Sequence, residues 1–468
     1  MYRWSCFALL IGVSPLLGQE GQPIKLTLRP MAAPTPALKY QLLPELADQT
    51  PGNAVLLYYR AFSPEWQSHR RDTKFSEKLE KWQKMPLKDL PRKELQWLER
   101  SAMLKELDLG ARREQCDWEL TARARKEGIS MLLPDIQGFR EFANLLVVRA
   151  RLEMASGDFS KAVYTLQTGY TLSRHLGEAP LLIPSLVGMA IATVMDAQVE
   201  TLIQQPDAPN LYWALTALPQ PLVNLRKAYS GEKLIILSLF PDLEKLESGP
   251  VSVQQAQEQI DRAGDMLRWW GAGFSSQSYP EKAAVAALVA KFYPRAKRYL
   301  IDKGRSTEIV EAMPTLQVVL LYSFDQFRRL QDELYKWTTL PYWQAAPGLR
   351  QAEKLLMHVK SDFEEGLPLA SLLLPALQKV FEAQARTDRR IAALRCIEAI
   401  RLHAAAHDGQ WPETLSAITA VPIPTDPMTG KEFEYRLAGD KAVLRAGVPA
   451  GETAAPHNTL VYELSLQR

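Results

Sequence analysis

Arg389-Arg390-Ile391-Ala392-Ala393-Leu394-Arg395-Cys396-Ile397-Glu398-Ala399-Ile400-Arg401-Leu402-His403-Ala404-Ala405-Ala406-His407 leads to Gln410-Trp411-Pro412. Asp426-Pro427-Met428-Thr429-Gly430-Lys431 and Phe433-Glu434-Tyr435-Arg436-Leu437 follow. The first run spaces its apolar residues at the helical period. In the second, Asp426 caps a turn through its side chain, Pro427 fixes the next backbone angle, and Gly430 supplies a positive φ. The third alternates, and pairs with Ala442-Val443-Leu444 through a turn at Gly439-Asp440; Leu460-Val461-Tyr462-Glu463-Leu464 adds a third strand. Helix, loop, tight turn and strand therefore set residues 386–468 apart as a C-terminal helix with a small antiparallel sheet. The rest of the chain keeps a helical period. The fold class is mainly α, an irregular helical array ending in a small α+β module with a β-hairpin.

Working back from that end, residues 51–385 read as the helical array. Ala54, Leu57, Tyr58 and Ala61 recur at three and four, and Ser63-Pro64 stops the run. Phe75 to Lys84 is a charged helical stretch, Pro91 allows a new start, and Glu114 to Arg125 reads as a short helix. Phe139 to Leu176 is the clearest helical hairpin, with its turn at Ser156-Gly157-Asp158-Phe159. Small Ala150 and Ala162 let its arms approach, while Phe159 and Leu166 fill the groove. Leu181 to Ile203 is long and strongly apolar. Asp196, Gln198 and Glu200 interrupt it before it could serve as a membrane span, so it reads as a core helix. Further helical stretches run from Leu222 to Pro241, 243 to 268, Ala283 to Tyr293, Leu316 to Trp337, Pro347 to Lys360 and Leu367 to Ala385. A break falls at Trp269 to Phe274.

The first eighteen residues read as an export signal: Arg3, then an apolar stretch from Trp4 to Val13, then Ser14-Pro15-Leu16-Leu17-Gly18 before polar Gln19-Glu20. Residues 19–50 are proline-punctuated, with Pro23, Pro30, Pro34, Pro36 and Pro44, and read as a linker. No stable membrane span is expected after the signal is removed. Among 468 residues, 56 basic side chains against 53 acidic ones leave a net charge of +3, too weak a field for nucleic acid. Cys116 and Cys396, beyond the signal, lack metal spacing and read as two buried thiols, with an oxidised pair as the alternative in an exported chain.

The Gly157-Asp158-Phe159 turn, followed by Ala162, resembles a tetratricopeptide repeat. Arg149 and Glu153 stand where Leu and Tyr are usual, and no second copy follows at the repeat period. Helix, Trp411-Pro412, Asp426-Pro427-x-x-Gly430-Lys431 and the aromatic strand resemble the C-terminal part of type II secretion pseudopilins, over about fifty residues. The Gly-Phe-x-x-x-Glu that begins a pseudopilin is absent. The same ending, with Gln204-Gln205-Pro206-Asp207-Ala208-Pro209-Asn210-Leu211-Tyr212-Trp213-Ala214-Leu215, resembles uncharacterised exported helical-repeat proteins of planctomycete bacteria over most of residues 50–445. That resemblance implies no known activity.

No nucleophile elbow, phosphate loop or dinucleotide fingerprint is present, so no catalytic residue and no cofactor is assigned. His403 and His407, four apart on one helix face with Asp408 beside them, are the weak metal candidates. Ala404-Ala405-Ala406 between them leaves no glutamate for a zinc-hydrolase pattern, and Gly409 marks a helix end where imidazoles suit the free carbonyls. His69, His175, His358 and His457 are scattered. Tyr212 and Trp213 read as buried more than as partner contacts. The sequence thus points to a non-enzymatic exported scaffold or protein-interaction protein, periplasmic or extracellular, whose partner is a protein or cell-envelope component. The alternatives are a metal-dependent hydrolase using His403 and His407, and an accessory of a type II-like secretion system.

Overall fold

The computed structural model describes residues 22–127, 133, 135–237, 242–259, 261, 279–362 and 375–467. The expected signal segment and the Trp269–Phe274 break lie outside them. The chain is mainly helical with a small sheet near its C-terminus. It divides into two compact units: one holds Glu119–Leu132 and Tyr229–Phe381, the other Val13–Trp118, Leu133–Ala228 and Glu382–Arg468.

In the first unit, helices Tyr279–Asp302 and Thr315–Tyr335 pack on each other. Phe292, Ala296, Leu300, Val310, Val318, Val319 and Tyr322 form their core. Gln317, fully buried within it, donates to the carbonyls of Leu246 and Gly249 at 2.8 and 2.7 Å and accepts from Val251 N–H at 3.0 Å. One amide thereby satisfies the end of helix Leu243–Ser248 and the strand-like lead beyond it. Pro347, expected to open a helix, instead sits inside Tyr342–Asp362. It is close enough to that helix's start to cost few backbone bonds. Gly348 beside it gives the Trp337 ring room: a Cβ there would fall 2.2 Å from the indole.

The second unit is built on three consecutive helices, Ile136–Ala155, Phe159–Gly177 and Leu182–Leu202, each packed against the other two. The first two form the expected hairpin; Gly157 takes φ +74° in its turn, and the Asp158 carboxylate caps the second arm at Lys161 N–H. Leu182–Leu202 is the one described helix long and apolar enough to cross a membrane, and two-thirds of its apolar window is buried. Gly188 lies against the backbone of Ser173, whose hydroxyl donates to Gly188 O at 2.7 Å. Helices Ala54–Ala61 and Ala102–Ala111 pack together, with the Tyr58 ring over Gly110. Ser63-Pro64 does stop the first of these, and it also starts another: Ser63 caps helix Pro64–Arg71 with Pro64 at its first position.

Six strands are present among the described residues: β1 (Ile24–Leu28), β2 (Thr50–Asn53), β3 (Arg113–Gln115), β4 (Glu434–Ala438), β5 (Lys441–Ala446) and β6 (Leu460–Leu466). The β4–β5 hairpin and the β6 strand fall where the alternation predicts, with β4 antiparallel to β5 and β5 to β6. Two expectations are corrected. The segment 19–50 is not a linker throughout: Ile24–Leu28 pairs in parallel with Tyr462–Leu466 and completes the sheet β1-β6-β5-β4. Leu26 and Leu28 are buried while Lys25 and Thr27 face outward, the period-2 pattern of a half-buried strand. The short helix expected over 114–125 is instead strand β3, paired with β2, followed by helix Leu120–Glu127. The boundary at 385/386 changes with the first of these. Residues 382–468 share one compact unit with β1 and with the helices of Val13–Trp118 and Leu133–Ala228.

The close approach at Gly188 gives a direct stability test. An alanine Cβ there would sit 2.5 Å from Ser173 O, a backbone atom that cannot swing aside. Gly188→Ala is expected to cost about 1–3 kcal/mol, as overpacking of a tight core does, read as a lower urea midpoint with an unchanged slope.

Candidate functional site

The helix Pro375–Ala406 gathers the segments that the sequence singled out. Among its charged residues inside the second unit, Arg389, Arg390, Glu398 and Arg401 are buried or nearly so and bind other stretches of chain. Asp388 accepts from Leu222 N–H at 3.1 Å, and Arg395 donates to Thr216 at 3.0 Å.

Arg389 holds the Asp426 turn. Its Nε and Nη2 donate to the two carboxylate oxygens at 2.8 and 2.7 Å, and the pair is almost wholly buried. The same guanidinium donates to Asn458 O and Gly447 O, both at 2.7 Å. Asp426 also accepts from Met428 N–H at 2.9 Å and Thr429 Oγ1 at 3.0 Å, and Gly430 takes φ +68°. The turn chemistry read from the sequence is present; the arginine beneath it was not legible. Cys396, two turns further along the same face, places its thiol 4.0 Å from Pro424 O.

Arg390 pairs with Glu200 through two bonds of 2.9 and 2.8 Å, and the Tyr462 hydroxyl of β6 donates to the same carboxylate at 2.7 Å. One turn back, Asp196 accepts from Tyr170 Oη at 2.6 Å while its Oδ2 is buried without a hydrogen-bond partner. Burial pushes the Asp196 carboxyl up to about 7, with Arg390 and the Tyr170 bond pulling the other way.

Arg401, fully buried, donates to Glu398 at 3.1 and 2.8 Å and to the carbonyls of Ala208, Pro209 and Arg29 at 2.9, 3.4 and 2.9 Å. Glu398 accepts from Leu211 N–H at 3.1 Å, and Asn210 Nδ2 donates to Glu398 O at 2.9 Å. The Gln204–Leu215 motif is therefore a loop clamped onto this helix through residues 208–211, leading into the short helix Tyr212–Thr216. Tyr212 is buried, its hydroxyl donating to Pro422 O, and Trp213 packs edge-on to it at 5.1 Å.

His403 and His407 close the helix. Their rings stack 3.9 Å apart, tilted by only 13°. His407 Nδ1 is 2.8 Å from His403 O. Ring lone pairs lie in the ring plane, so near-parallel rings do not aim them at one point. Asp408 and Gly409 both adopt positive φ, and Gly409 N–H bonds Ala404 O at 2.8 Å, a helix-ending motif. Among the described residues, no group of three or more His, Cys, Asp or Glu could hold a metal ion.

A second polar cluster joins helices Ala102–Ala111, Ile136–Ala155 and Phe159–Gly177. Arg149 binds both oxygens of Asp108 at 2.9 and 2.7 Å and Thr165 at 2.9 Å; Thr165 donates to Glu153 at 2.6 Å, and Thr168 to Asp108 at 2.7 Å. Arg149 and Glu153, the departures from the tetratricopeptide pattern, are the centre of it. Burial pushes Glu153 up to about 7 against the pull of Arg149. His175, one of the scattered histidines, sits 2.7 Å from the Tyr58 hydroxyl, and burial then Arg174 push it down to about 3, so it is neutral. Cys116 and Cys396 are both free. Cys116 lies 3.8 Å from His175 O, and burial raises both thiols.

The roles of Arg389, Arg390, Glu398 and Arg401 were missed from sequence, and Asp196 and Glu200 were read only as breaks in an apolar run. The available signal was charge at positions where the helical period demands apolar side chains.

Compared with protein-family models, with curated proteins and with solved structures, the chain matches none.

Two outcomes follow. Asp426→Ala leaves Arg389 charged and buried without its partner, and is expected to cost about 3–5 kcal/mol in denaturant unfolding. The double variant Arg389→Met/Asp426→Ala should lose less than that. The second concerns pH. A carboxyl whose pKa is higher folded than unfolded binds its proton more tightly in the fold. Its stabilisation is full below the ordinary carboxylate range and is lost as pH rises toward 7. Glu153, Asp196 and Asp388 are each pushed by burial up to about 7. The urea midpoint should therefore fall between pH 4 and 7, and Asp196→Asn should fall less steeply.

Proposed function

We propose that the chain is a non-enzymatic scaffold of the cell envelope, exported and binding a protein or envelope component. The observation that carries this reading is the use of the interior charges. Arg389, Arg390, Glu398 and Arg401 each bond carboxylates or backbone of the same chain. Groups so employed position segments; they are not presented to a substrate. Apolar side chains are exposed on the outer faces of the second unit, among them Leu56, Tyr59 and Leu109. Helices Ala54–Ala61 and Ala102–Ala111, which carry these three residues, pack on each other, with Arg60 paired to Glu106 at 2.8 Å. Exposed apolar groups beside a charged pair suit a protein contact.

A second reading, an accessory of a type II-like secretion system, draws on the order of helix, Asp426 turn and antiparallel hairpin. Parallel strand β1 on the same sheet is an addition to that order.

One preparation tests the first reading: the chain recovered from the envelope fraction, with its N-terminus sequenced and its zinc content measured. A start near Gln19 and zinc well below one equivalent, unchanged in His403→Ala, is expected. An intact chain confined to the cytoplasm removes the export claim. Stoichiometric zinc that is lost with His403→Ala replaces the scaffold by the metal-dependent hydrolase.

A further inference from the structure

Strand β4 is one of the two outer strands of the sheet, with β5 as its neighbour on one side. Among the described residues, the backbone of 434–438 makes hydrogen bonds only to β5. All of its residues except Tyr435 are exposed, and Leu437 keeps 45 % of its surface in water. Such an edge is a template for another strand.

The pattern along the edge says which strand fits. Ala438 and Lys441 pair across the two-residue Gly439-Asp440 loop. Residues flanking such a loop exchange both main-chain bonds, so Glu434, Arg436 and Ala438 turn their N–H and C=O groups toward β5. Tyr435 and Leu437 then turn theirs outward. On the faces, Tyr435 and Leu437 share the side of Leu444 and Ala442, the buried side, while Glu434 and Arg436 share the solvent side. A second antiparallel copy of the same strand can meet this edge in two neighbouring registers that use the outward groups. Centred on Arg436, it sets that cation against itself. Centred on Tyr435, it sets Glu434 opposite Arg436 twice. Opposite charges directly across a ladder contribute about 0.2–1 kcal/mol each, and like charges cost a similar amount.

We infer that β4 pairs with β4 of a second copy of this chain, antiparallel about Tyr435, joining two small sheets into one continuous sheet. The pairing is symmetric, so each contact occurs twice and the assembly closes as a dimer.

Sedimentation of the purified full chain over a concentration series tests this. A concentration-dependent dimer is expected. Glu434→Arg and Arg436→Glu should each weaken it about tenfold or more, by turning two attractive pairs into two repulsive ones. The double swap Glu434→Arg/Arg436→Glu should restore it. Leu437→Pro removes an outward N–H while leaving the bonds to β5, so it should abolish the dimer with an unchanged circular dichroism spectrum. A chain that stays monomeric throughout the series overturns the inference. So does a dimer indifferent to the charge swaps and to Leu437→Pro, or one that the double swap fails to restore.

Discussion

The second unit depends on burying arginines from one helix beneath the segments they bind. Taking a guanidinium out of water costs several kcal/mol, and only close, multiple bonds offset it. Arg389 meets that condition with a two-bonded carboxylate and two carbonyls, Arg401 with a carboxylate and three carbonyls. Hydrophobic burial could supply comparable stability at these positions. It could not choose partners, since an apolar face accepts any apolar face. The guanidinium fork accepts few geometries, and so fixes which loop lies where.

Adjacent Arg389 and Arg390 show the effect most directly. Successive helix residues point about 100° apart, so the two cations face different neighbours. Arg389 reaches the Asp426 turn and the ends of β5 and β6. Arg390 reaches Glu200 on Leu182–Leu202, where Tyr462 of β6 also bonds. The sheet and the helical core are thereby tied to one helix at one level. About three turns on, Arg401 takes up Ala208, Pro209 and the chain just after β1 together, while Glu398 holds Leu211. A change in any one of these residues is felt by segments far apart in the chain.

Local patterns were legible where neighbours in sequence settle the structure. The Asp426 turn, the β4–β5 hairpin, the Gly157 hairpin turn and the apolar run of Leu182–Leu202 depend on backbone angles and periods that a few residues display. Strand β1 also carried its signal, since Ile24, Leu26 and Leu28 alternate with Lys25 and Thr27; the flanking prolines masked it. Its parallel partner lies more than 400 residues away, and nothing local announces that pairing. Likewise the partners of Arg389 and Arg390 were not legible, because a charge in a helical run looks the same whether it faces water or a carboxylate.

Arg149 and Glu153 make the same point within a helical hairpin. At the positions where a tetratricopeptide hairpin packs apolar groups, this chain places an ion pair to Asp108 closed by two threonines. Asp108 belongs to helix Ala102–Ala111, so the hairpin is matched to one particular neighbour and not to a further copy of itself. A repeat array needs interchangeable apolar interfaces, because each unit must accept the next. Directional polar contacts of this kind remove that interchangeability and fit the hairpin to this one neighbour.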